Sequence, residues 1–516
     1  MTKLDVITIG RSSVDLYGAQ VGGRLEDMVS FNKYIGGSPT NMAAGTARLG
    51  LKSALITRVG DEHMGRFIVE QLQREGVDTR GVVTDKQRLT ALVLLGIRDE
   101  SQFPLIFYRE NCADMAICEA DIDPAFIAEA GCVTVTGTHL SHPQTEAAVL
   151  KALHLARDNG AKTALDIDYR PNLWGLAGHG DGEERFIESE AVTTKLQSTL
   201  HLFDLIVGTE EEFHIAGGST DTLEALNTVR GCSDAMLVCK RGPMGASAFA
   251  GQIPPSLDDG ITGPGFPIEV FNVLGAGDGF MSGLLRGWLT EQPWETTLTW
   301  ANACGAFAVS RHGCAPAYPS WDELQWFLEN GSKFKALRKD VLLEHVHWAT
   351  NRDKKTNPVE IADLRQSTNH DVADFNGAGF IADWSQHRDL MYRAVDRHCW
   401  IGRTATPGET NFGEWPVAHR VVCTVNGASV EELLSTCRTA RGQGLEVMLE
   451  LRPDQTSRLS ELLEAGVWPD YWILPSNEVA AQCEVLKQKD PWCRGVYCAG
   501  GLGDEHPAIL GTVWAP

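Results

Sequence analysis

One stretch of the chain combines a flexible glycine loop with a single acid at the start of a helix pattern. The residues Gly275, Ala276, Gly277 and Asp278 precede an apolar, small-residue run that continues to Gly287. Glycines at a helix start let backbone N–H groups approach an anion closely, and the helix N-terminus favours negative charge. A carboxylate there would repel a phosphate unless it takes the proton from a hydroxyl that attacks the phosphate. The loop therefore predicts phosphoryl transfer, with a simple tight turn as the alternative.

A second loop carries residues suited to hold hydroxyl groups. Gly36 and Gly37 precede an alanine-rich helix pattern containing Asn41, whose amide can both donate to and accept from hydroxyls. The alternative is an ordinary helix start capped by Ser38. Asp15 follows the first predicted strand, where a carboxylate can accept two sugar hydroxyls or serve only as a turn residue.

Two arginines follow predicted strands in a chain that is otherwise acidic. Tyr108 and Arg109 come after one strand, and Arg170 comes after another. Guanidinium groups bind carboxylates through paired hydrogen bonds. This placement favours a substrate with a carboxylate, with surface ion pairs as the alternative.

Further polar and glycine-rich segments follow the next strands. Glu211 is the middle one of three adjacent acids, which suit Mg²⁺ or its waters but also suit the first turn of a helix. Lys240 opens a turn that contains Gly242 and Gly245, and Asn302 lies on a small-residue helix where a nucleotide base could approach the backbone.

The composition restricts the class of protein. The chain has 516 residues, 43% of them hydrophobic, and a formal net charge of -23. Such an acidic chain is a poor binder of nucleic acid or anionic membrane. The start of the sequence is predicted to be a strand and there is no long apolar run, so we expect a cytoplasmic protein. Thirteen cysteines without a CxxC pair indicate reduced thiols. The pairs His139 with His142 and His345 with His347 are interpreted as structural or solvent-facing rather than as metal ligands.

These residues lie far apart in sequence, so a fold that brings the ends of several strands together is needed to form one site. The chain alternates strand and helix patterns, as such a fold requires. This rhythm predicts an α/β fold with a mainly parallel sheet, helices on both faces and a site at the strands' carboxyl ends. Strands are predicted at Val6–Gly10, Ser53–Val59, Ala91–Leu95, Cys132–Thr136, Thr163–Asp166, Leu205–Val207 and Met236–Val238. Helices are predicted at Pro39–Leu49, Met64–Glu75, Pro143–Asn159, Lys195–Phe203, Gly279–Leu289 and Pro293–Ser310.

A small second sheet and a second domain complete the predicted organisation. The segments Leu16–Val29, Val82–Leu95 and Ser101–Tyr108 are predicted to form a lid over the site. A polar linker places the domain boundary near residue 330, giving domains 1–330 and 331–516. The second domain repeats a β/α rhythm, whereas Asn351–Trp415 is left unassigned. Its predicted strands are Val421–Val425, Glu446–Leu451, Tyr471–Leu474 and Gly495–Tyr497, and its predicted helices are Val430–Gln443, Thr456–Ala465 and Asn477–Lys489.

Taken in order, the motifs of residues 4–325 resemble those of the ribokinase-like (PfkB) carbohydrate kinases. The resemblance implies a three-layer α/β/α fold with a small β-sheet lid, and a phosphotransferase that uses ATP and Mg²⁺. The matching positions are Gly36, Gly37 and Asn41, Arg58–Asp61 with Gly65, Gly76–Asp78, Gly275–Asp278 and Asn302.

The resemblance also implies roles for individual residues. Asp278 would be the catalytic base, with Gly275, Ala276 and Gly277 as the anion hole. The sugar would be held by Asp15, Gly36, Gly37 and Asn41, and the nucleotide by Lys240, Gly242, Gly245 and Asn302. Glu211 matches the acid of the family's Asn-x-x-Glu motif, whose first position is occupied here by Gly208. Asn272 stands where many members have Asp near a monovalent-cation loop, so a requirement for such a cation is left open.

Within the family, the substrate-side residues point to sugar acids. Tyr108, Arg109 and Arg170 resemble acid-recognising positions of 2-keto-3-deoxygluconate kinases. The segments after three later strands look closest to the members that phosphorylate 5-dehydro-2-deoxygluconate in myo-inositol catabolism. The alternatives are a 2-keto-3-deoxygluconate kinase, a fructokinase-like enzyme or a non-catalytic sugar-acid sensor. The partners expected are ATP and a small sugar acid, with a homo-oligomer left open.

The second domain resembles class I TIM-barrel aldolases around residues 469–495. About 185 residues remain for it, whereas a full barrel typically takes roughly 250. No lysine sits at a strand end where it could form a Schiff base. We therefore expect a partial, inactive barrel, with a bifunctional kinase–aldolase as the alternative.

Overall fold

The computed structural model describes residues 3–99, 102–178, 182–350, 360–363, 379–382, 400–409, 420–476, 479–499 and 509–514. The chain divides into two compact units, Met1–Leu343 and Glu344–Pro516. The division lies beyond the predicted boundary near residue 330, because the segment after that point still packs on the first unit. Leu337 and Leu343 are buried in one cluster with Phe307 and Phe327.

The first unit is built on a nine-stranded sheet with the order β13-β12-β11-β10-β9-β8-β1-β4-β5. Its pairings are parallel except those of β12 with β11 and with β13. Parallel strands place their carboxyl ends at one edge, which is where such sheets bind ligands. The strands of the unit are β1 (Val6–Ile9), β2 (Ser13–Gly18), β3 (Phe31–Gly36), β4 (Ser53–Gly60), β5 (Val82–Asp85), β6 (Ala91–Leu95), β7 (Leu105–Tyr108), β8 (Cys132–Thr136), β9 (Lys162–Asp166), β10 (Leu205–Thr209), β11 (Met236–Lys240), β12 (Ala246–Phe249) and β13 (Ile261–Gly263).

Helices cover both faces of this sheet. Neighbouring residues of a strand point to opposite faces, and both faces of these strands carry apolar side chains that the helices bury. On β1, Ile7 joins the core formed with α4 to α7, whereas Val6 joins the core formed with α1, α8 and α9. The three-layer prediction is therefore confirmed. The helices are α1 (Ser38–Arg48), α2 (His63–Arg74), α3 (Pro124–Ile127), α4 (Pro143–Asp158), α5 (Glu190–Gln197), α6 (Glu210–Gly217), α7 (Thr222–Cys232), α8 (Ala276–Leu289), α9 (Trp294–Ser310) and α10 (Trp321–Asn330).

One predicted helix is displaced. The sequence pattern placed it over Lys195–Phe203, whereas α5 covers Glu190–Gln197 and a separate 3₁₀ turn covers Leu200–Leu202. The cause is the cap: the Ser189 side chain accepts a hydrogen bond from the N–H of Val192 and so starts the helix earlier.

The predicted lid exists as a separate four-stranded sheet with the order β3-β2-β6-β7. The strand β3 was not predicted, and it pairs antiparallel with β2. The predicted lid segment Val82–Leu95 is split, because β5 joins the main sheet beside β4 and only β6 enters the lid. Ser101, the first residue of the third predicted segment, lies outside the described residues.

The second unit contains a closed barrel of eight strands, with every pairing parallel. Its strands are β14 (Glu360–Asp363), β15 (Gly379–Ala382), β16 (Trp400–Ala405), β17 (Arg420–Thr424), β18 (Glu446–Glu450), β19 (Tyr471–Pro475), β20 (Gly495–Ala499) and β21 (Ile509–Trp514). Its helices are α12 (Val430–Gly442), α13 (Arg458–Glu464) and α14 (Val479–Lys489), and α11 (Val341–Thr350) spans the boundary between the units.

The closed ring corrects the expectation of a partial barrel. The strands β14, β15 and β16 all come from the segment that the sequence analysis left unassigned, because each is short and lies in a polar context. Val422 and Met448 face the interior core, whereas their neighbours Val421 and Val447 face the helices. His345 is buried, hydrogen-bonded to Asp490 at 2.7 Å, which is a structural role as predicted.

Among the described residues, no helix is long and apolar enough to cross a bilayer.

Candidate active site

A constellation of charged and polar side chains in the first unit surrounds a cavity of about 550 Å³. It lies at the carboxyl ends of β9, β10 and β11, and its other walls come from β2, β6 and β7 of the lid sheet and from the start of α8. Helix start, strand ends and lid thus meet at one place, as the α/β pattern predicted.

Asp278 lies in the first turn of α8 and lines this cavity. Its Oδ2 accepts a hydrogen bond of 2.8 Å from Nδ2 of Asn41, a residue of α1. Loss of solvation raises the pKa of Asp278, and the carboxylate of Asp168 adds to the increase. A carboxylate with a raised pKa, held by one amide, is suited to accept a proton from a hydroxyl.

The loop before Asp278 has a backbone that only glycine fits. Gly275 adopts φ +78°, and a Cβ there would lie 2.8 Å from both Sγ of Cys314 and Oη of Tyr318. Tyr318 also donates a hydrogen bond of 2.8 Å to the carbonyl of Gly275. The first amides of a helix lack intrahelical partners, and Ala276 and Gly277 both line the cavity. The N–H of Ala276 also makes a long hydrogen bond of 3.4 Å to the carbonyl of Val273.

Lys240 supplies a positive charge beside these amides. Its Nζ is 3.4 Å from the point where a Cβ of Gly277 would lie. The same ammonium is 3.1 Å from Asp166 and 3.3 Å from Glu212. Burial opposes the charge, but the two carboxylates outweigh it and raise the pKa of Lys240, so the side chain is a fixed cation.

The start of the lid holds the predicted hydroxyl-binding group. Asp15 on β2 is buried and accepts a hydrogen bond of 2.9 Å from Ser13. Burial raises its pKa to about 6, although Ser13 and nearby arginines act in the opposite direction. Its carboxylate occupies the space that a side chain at Gly36 would need, and Gly37 adopts φ +92° with its Cβ position 2.6 Å from the carbonyl of Arg11. The two glycines therefore let the lid and α1 close around Asp15.

The arginines form an ion-pair network on the cavity wall. Arg109 is buried and paired with the fully buried Asp114. Arg170 lies 3.8 Å from Asp168, which is also paired with Arg11. All three arginines line the cavity.

Tyr108 does not line this cavity. Its side chain is 56% exposed, because alternation along β7 turns Phe107 inwards and Tyr108 outwards. The placement does not support the prediction that Tyr108 binds substrate.

Of the predicted nucleotide-binding residues, Lys240 lines the cavity, whereas Gly242, Gly245 and Asn302 do not. Gly245 adopts φ +91° and packs against the carbonyl of Gly263, and Nδ2 of Asn302 lies 2.9 Å from the Cβ position of that same glycine. This Nδ2 atom is buried without a hydrogen-bond partner among the described residues. Gly242, at φ +55°, opens the short 3₁₀ turn after β11.

The three adjacent acids after β10 have different environments. Glu211 is exposed and lines the cavity. Glu212 is buried, pairs with Lys240 and forms a capping box with Thr209. Of these two acids, Glu211 is the more accessible from the cavity, whereas Glu212 belongs to the scaffold. No set of three or more His, Cys, Asp or Glu in the described part of the chain is arranged to hold a metal.

Several residues at the cavity were not predicted. Arg11, Asp166 and Asp168 follow β1 and β9, so their position at parallel strand ends was a usable signal. Arg185 and Cys314 come from loops, where no sequence pattern marks them. The Arg170 guanidinium lowers the pKa of Arg185 to about 10, and burial adds to this effect.

Known proteins resemble this chain in sequence and in fold. The model of the pfkB family carbohydrate kinases matches residues 3–321. A 5-dehydro-2-deoxygluconokinase of Geobacillus kaustophilus is 32% identical over 341 residues, which are 65% of this chain and 97% of that relative. A PfkB protein from Polaromonas sp. JS666 has a crystal structure that is 28% identical, with a TM-score of 0.53 over 62% of this chain and 99% of that one. An uncharacterized sugar kinase of Pyrococcus horikoshii, solved in complex with ATP, is 25% identical, with a TM-score of 0.51 over 62% of this chain and 96% of that one.

A three-layer domain with a lid sheet and an acid at a glycine-rich helix start defines a ribokinase-like fold with a sugar-kinase site. The chain belongs to the pfkB family of carbohydrate kinases. The first unit is therefore the sugar kinase. The matched residues 3–321 end before the barrel begins.

Proposed function

We propose that the first unit transfers the γ-phosphoryl group of ATP to the terminal hydroxyl of a sugar acid. The substrate is 5-dehydro-2-deoxy-D-gluconate and the product is its 6-phosphate. The observation that carries the acid assignment is the pair Arg109 and Arg170 on the wall of the cavity that contains Asp278. The curated relative at 32% identity, named for this substrate, adds support.

The transfer follows from the arrangement of the site. The carboxylate of Asp278 accepts the proton of the attacking hydroxyl as the oxygen–phosphorus bond forms. The amides of Ala276 and Gly277, with the ammonium of Lys240, stabilise the negative charge on the transferred group. The bond between the γ-phosphorus and the bridging oxygen breaks, and its electron pair stays on the leaving ADP. Asp15 and Asn41 orient the sugar, so that most of the rate acceleration comes from positioning and electrostatics.

The exposed carboxylate of Glu211 fits a Mg²⁺ ion that keeps most of its waters and binds through nucleotide phosphates. Such an ion would neutralise phosphate charge. We assign the base of the nucleotide to the region of Gly242, Gly245 and Asn302, where Nδ2 of Asn302 has no hydrogen-bond partner among the described residues and can donate to it.

A panel assay tests the substrate class. ADP release is measured with 5-dehydro-2-deoxygluconate, 2-keto-3-deoxygluconate and fructose, and the Asp278→Asn variant shows any contaminating kinase. We expect kcat/KM for the first compound to exceed that for fructose by about two orders of magnitude, as for the loss of a buried charge pair. A higher value for fructose would refute the acid assignment, and a higher value for 2-keto-3-deoxygluconate would move it to that acid.

The barrel gives no support to an aldolase activity that proceeds through a Schiff base. None of its eight strands contains a lysine, and such a reaction needs a lysine amine directed into the barrel. The bifunctional alternative is therefore not part of the proposal.

A further inference from the structure

A second, smaller pocket adjoins the main cavity. Its volume is about 160 Å³, and it shares Arg11, Phe107 and Arg109 with the main cavity. The rest of its lining is mostly polar and comes from the segment after β7, from the turn after β8, from the start of α4 and from the loop after β9. A ligand lying in the main cavity could therefore extend one end into this side pocket.

The side pocket contains buried polar atoms that lack partners. Both ring nitrogens of His139 and the Nε atoms of Arg11 and Arg109 have no hydrogen-bond partner among the described residues. His139 is 2% exposed and the two arginines are each 7% exposed. Buried polar groups in native proteins are nearly always hydrogen-bonded, so three such side chains around one pocket indicate a missing polar occupant.

The charges around the pocket favour an anion of modest size. Each arginine is paired through Nη2, Arg11 with Asp168 and Arg109 with Asp114, and its buried Nε–H is a donor without a hydrogen-bond partner among the described residues. Burial and the two arginines lower the pKa of His139 well below its usual value, so the ring is neutral and offers one donor. Glu110 also lines the pocket, but its side chain is exposed to solvent.

The position separates this pocket from the phosphate end of the site. None of Gly275, Ala276, Gly277 and Lys240 lines it, whereas all four line the main cavity. A sugar whose terminal hydroxyl is at Asp278 has its other end available for this pocket. In a sugar acid that end is a carboxylate, which accepts hydrogen bonds from several N–H donors at once.

We propose that the side pocket receives the carboxylate of the sugar acid and that His139, with the Nε–H groups of Arg11 and Arg109, determines the preference for an acid. This proposal rests on the proposed function and adds His139 as a specificity-determining residue. A neutral histidine provides a hydrogen bond without a further positive charge beside two arginines.

The test compares two substrates that differ only at that end. They are 5-dehydro-2-deoxygluconate and the analogue in which the carboxylate is replaced by a hydroxymethyl group. In His139→Leu, kcat/KM for the acid should fall at least tenfold more than kcat/KM for the alcohol, mainly through KM. His139→Gln keeps an amide donor and should retain most of the preference. His154→Leu, at an exposed position of α4, is the matched control and should leave the ratio of the two substrates unchanged.

A second measurement uses the wild-type protein and does not depend on the folding of His139→Leu. In ¹⁵N-histidine spectra, the resonance that disappears in His139→Gln is assigned to His139. It should shift when the acid is added and stay in place when the alcohol is added. An unchanged acid preference in folded His139→Leu, or a His139 resonance that ignores the acid, overturns the proposal. A wild-type enzyme without any preference for the acid would instead refute the proposed function.

Discussion

At the scale of single residues, the site places carboxylates where water is scarce. Asp15 and Asp166 are buried, and burial raises the pKa of Asp15 to about 6 and that of Asp166 to about 7. Asp278 has a raised pKa for the same reason. Groups with such shifts are arranged for function at a cost in stability.

The first residue-scale prediction concerns the proposed base. Asp278→Asn is nearly isosteric, so the protein should fold and still bind ATP and sugar. Without the carboxylate, kcat should fall by about 10²–10⁴, the usual contribution of a general base. The measurements are steady-state kinetics and calorimetric titration of both substrates. A kcat close to that of wild type would remove Asp278 from the mechanism.

The second prediction links Asp15 to stability and pH. Its folded pKa of about 6 lies above the ordinary aspartate value of 3.8, so between these two pH values the folded state retains a proton that the unfolded chain has released. The ionised carboxylate therefore destabilises the protein above pH 6, and this penalty disappears as the pH falls below 4. Asp15→Asn should gain up to about 3 kcal/mol of unfolding free energy at pH 7.5 and progressively less on acidification, while kcat/KM drops.

Urea unfolding at pH 7.5 and pH 4.5 measures this gain. Asp61→Asn is the control, because the Asp61 side chain is 53% exposed and its removal should change little at either pH. An Asp15→Asn variant that is less stable than wild type at pH 7.5 would show that the bond from Ser13 outweighs the cost of burial.

At the scale of elements, the two glycines at the start of α8 differ in backbone conformation and in the space available for a side chain. Gly275 has φ +78° and is packed against Cys314 and Tyr318. Outside its own helix, a Cβ at Gly277 would have one neighbour within 4 Å among the described residues, Nζ of Lys240. Gly275→Ala should lose about 1–2 kcal/mol of stability or more, since the left-handed conformation disfavours a side chain. Gly277→Ala should fold as well as wild type.

Both variants should lose activity. Gly275→Ala should lose it because the loop before Asp278 is strained, and Gly277→Ala because its methyl group lies beside Lys240. In Gly277→Ala the added methyl group lies in contact with Nζ of Lys240, 3.4 Å away, and takes space that a phosphate needs between Lys240 and the loop, so kcat falls although the thermal midpoint does not. The measurements are thermal unfolding and kcat for each variant. A Gly277→Ala enzyme with full activity would show that the phosphate does not approach the loop beside Lys240.

Most elements of the first unit could be predicted because their signals are local. Strands such as Ala91–Leu95 and Cys132–Thr136 have the predicted bounds, since apolar runs end at turn residues. The strand β3 could not be predicted in the same way. Its middle residues are partly or fully exposed, and it is a strand because β2 pairs with it. The side pocket was likewise hidden, because His139, Arg11 and Arg109 meet only through tertiary packing.

At the scale of the whole molecule, the kinase should function without the barrel. A fragment of residues 1–350 should fold and keep wild-type kcat per site, because every residue that lines the cavity precedes the boundary at Leu343. A fragment ending at residue 330 should have a lower thermal midpoint. It lacks Leu337 and Leu343, which are at most 1% exposed, and each buried leucine contributes about 1.5–3 kcal/mol.

Thermal unfolding and kinetics of the two fragments check this prediction. A folded 1–350 fragment without kinase activity would contradict the independence of the first unit. The barrel itself could be predicted only in part, because ring closure depends on pairings between segments far apart. The strands β14 and β21 are neighbours in the ring although the whole second unit separates them in sequence.

The thiol of Cys314 lies next to the loop before Asp278, so its chemical reactivity can report how often that loop opens. Cys314 is 3% exposed, packs behind Gly275 and accepts or donates a hydrogen bond of 2.8 Å with Tyr17. Burial raises the pKa of this thiol well above its ordinary value, so the reactive thiolate is scarce in the native state. Alkylation at Cys314, followed by peptide mass mapping, therefore measures how often the loop separates from its support. Nucleotide or sugar that holds the loop closed should slow this labelling in proportion to its occupancy, which gives a binding isotherm without any turnover.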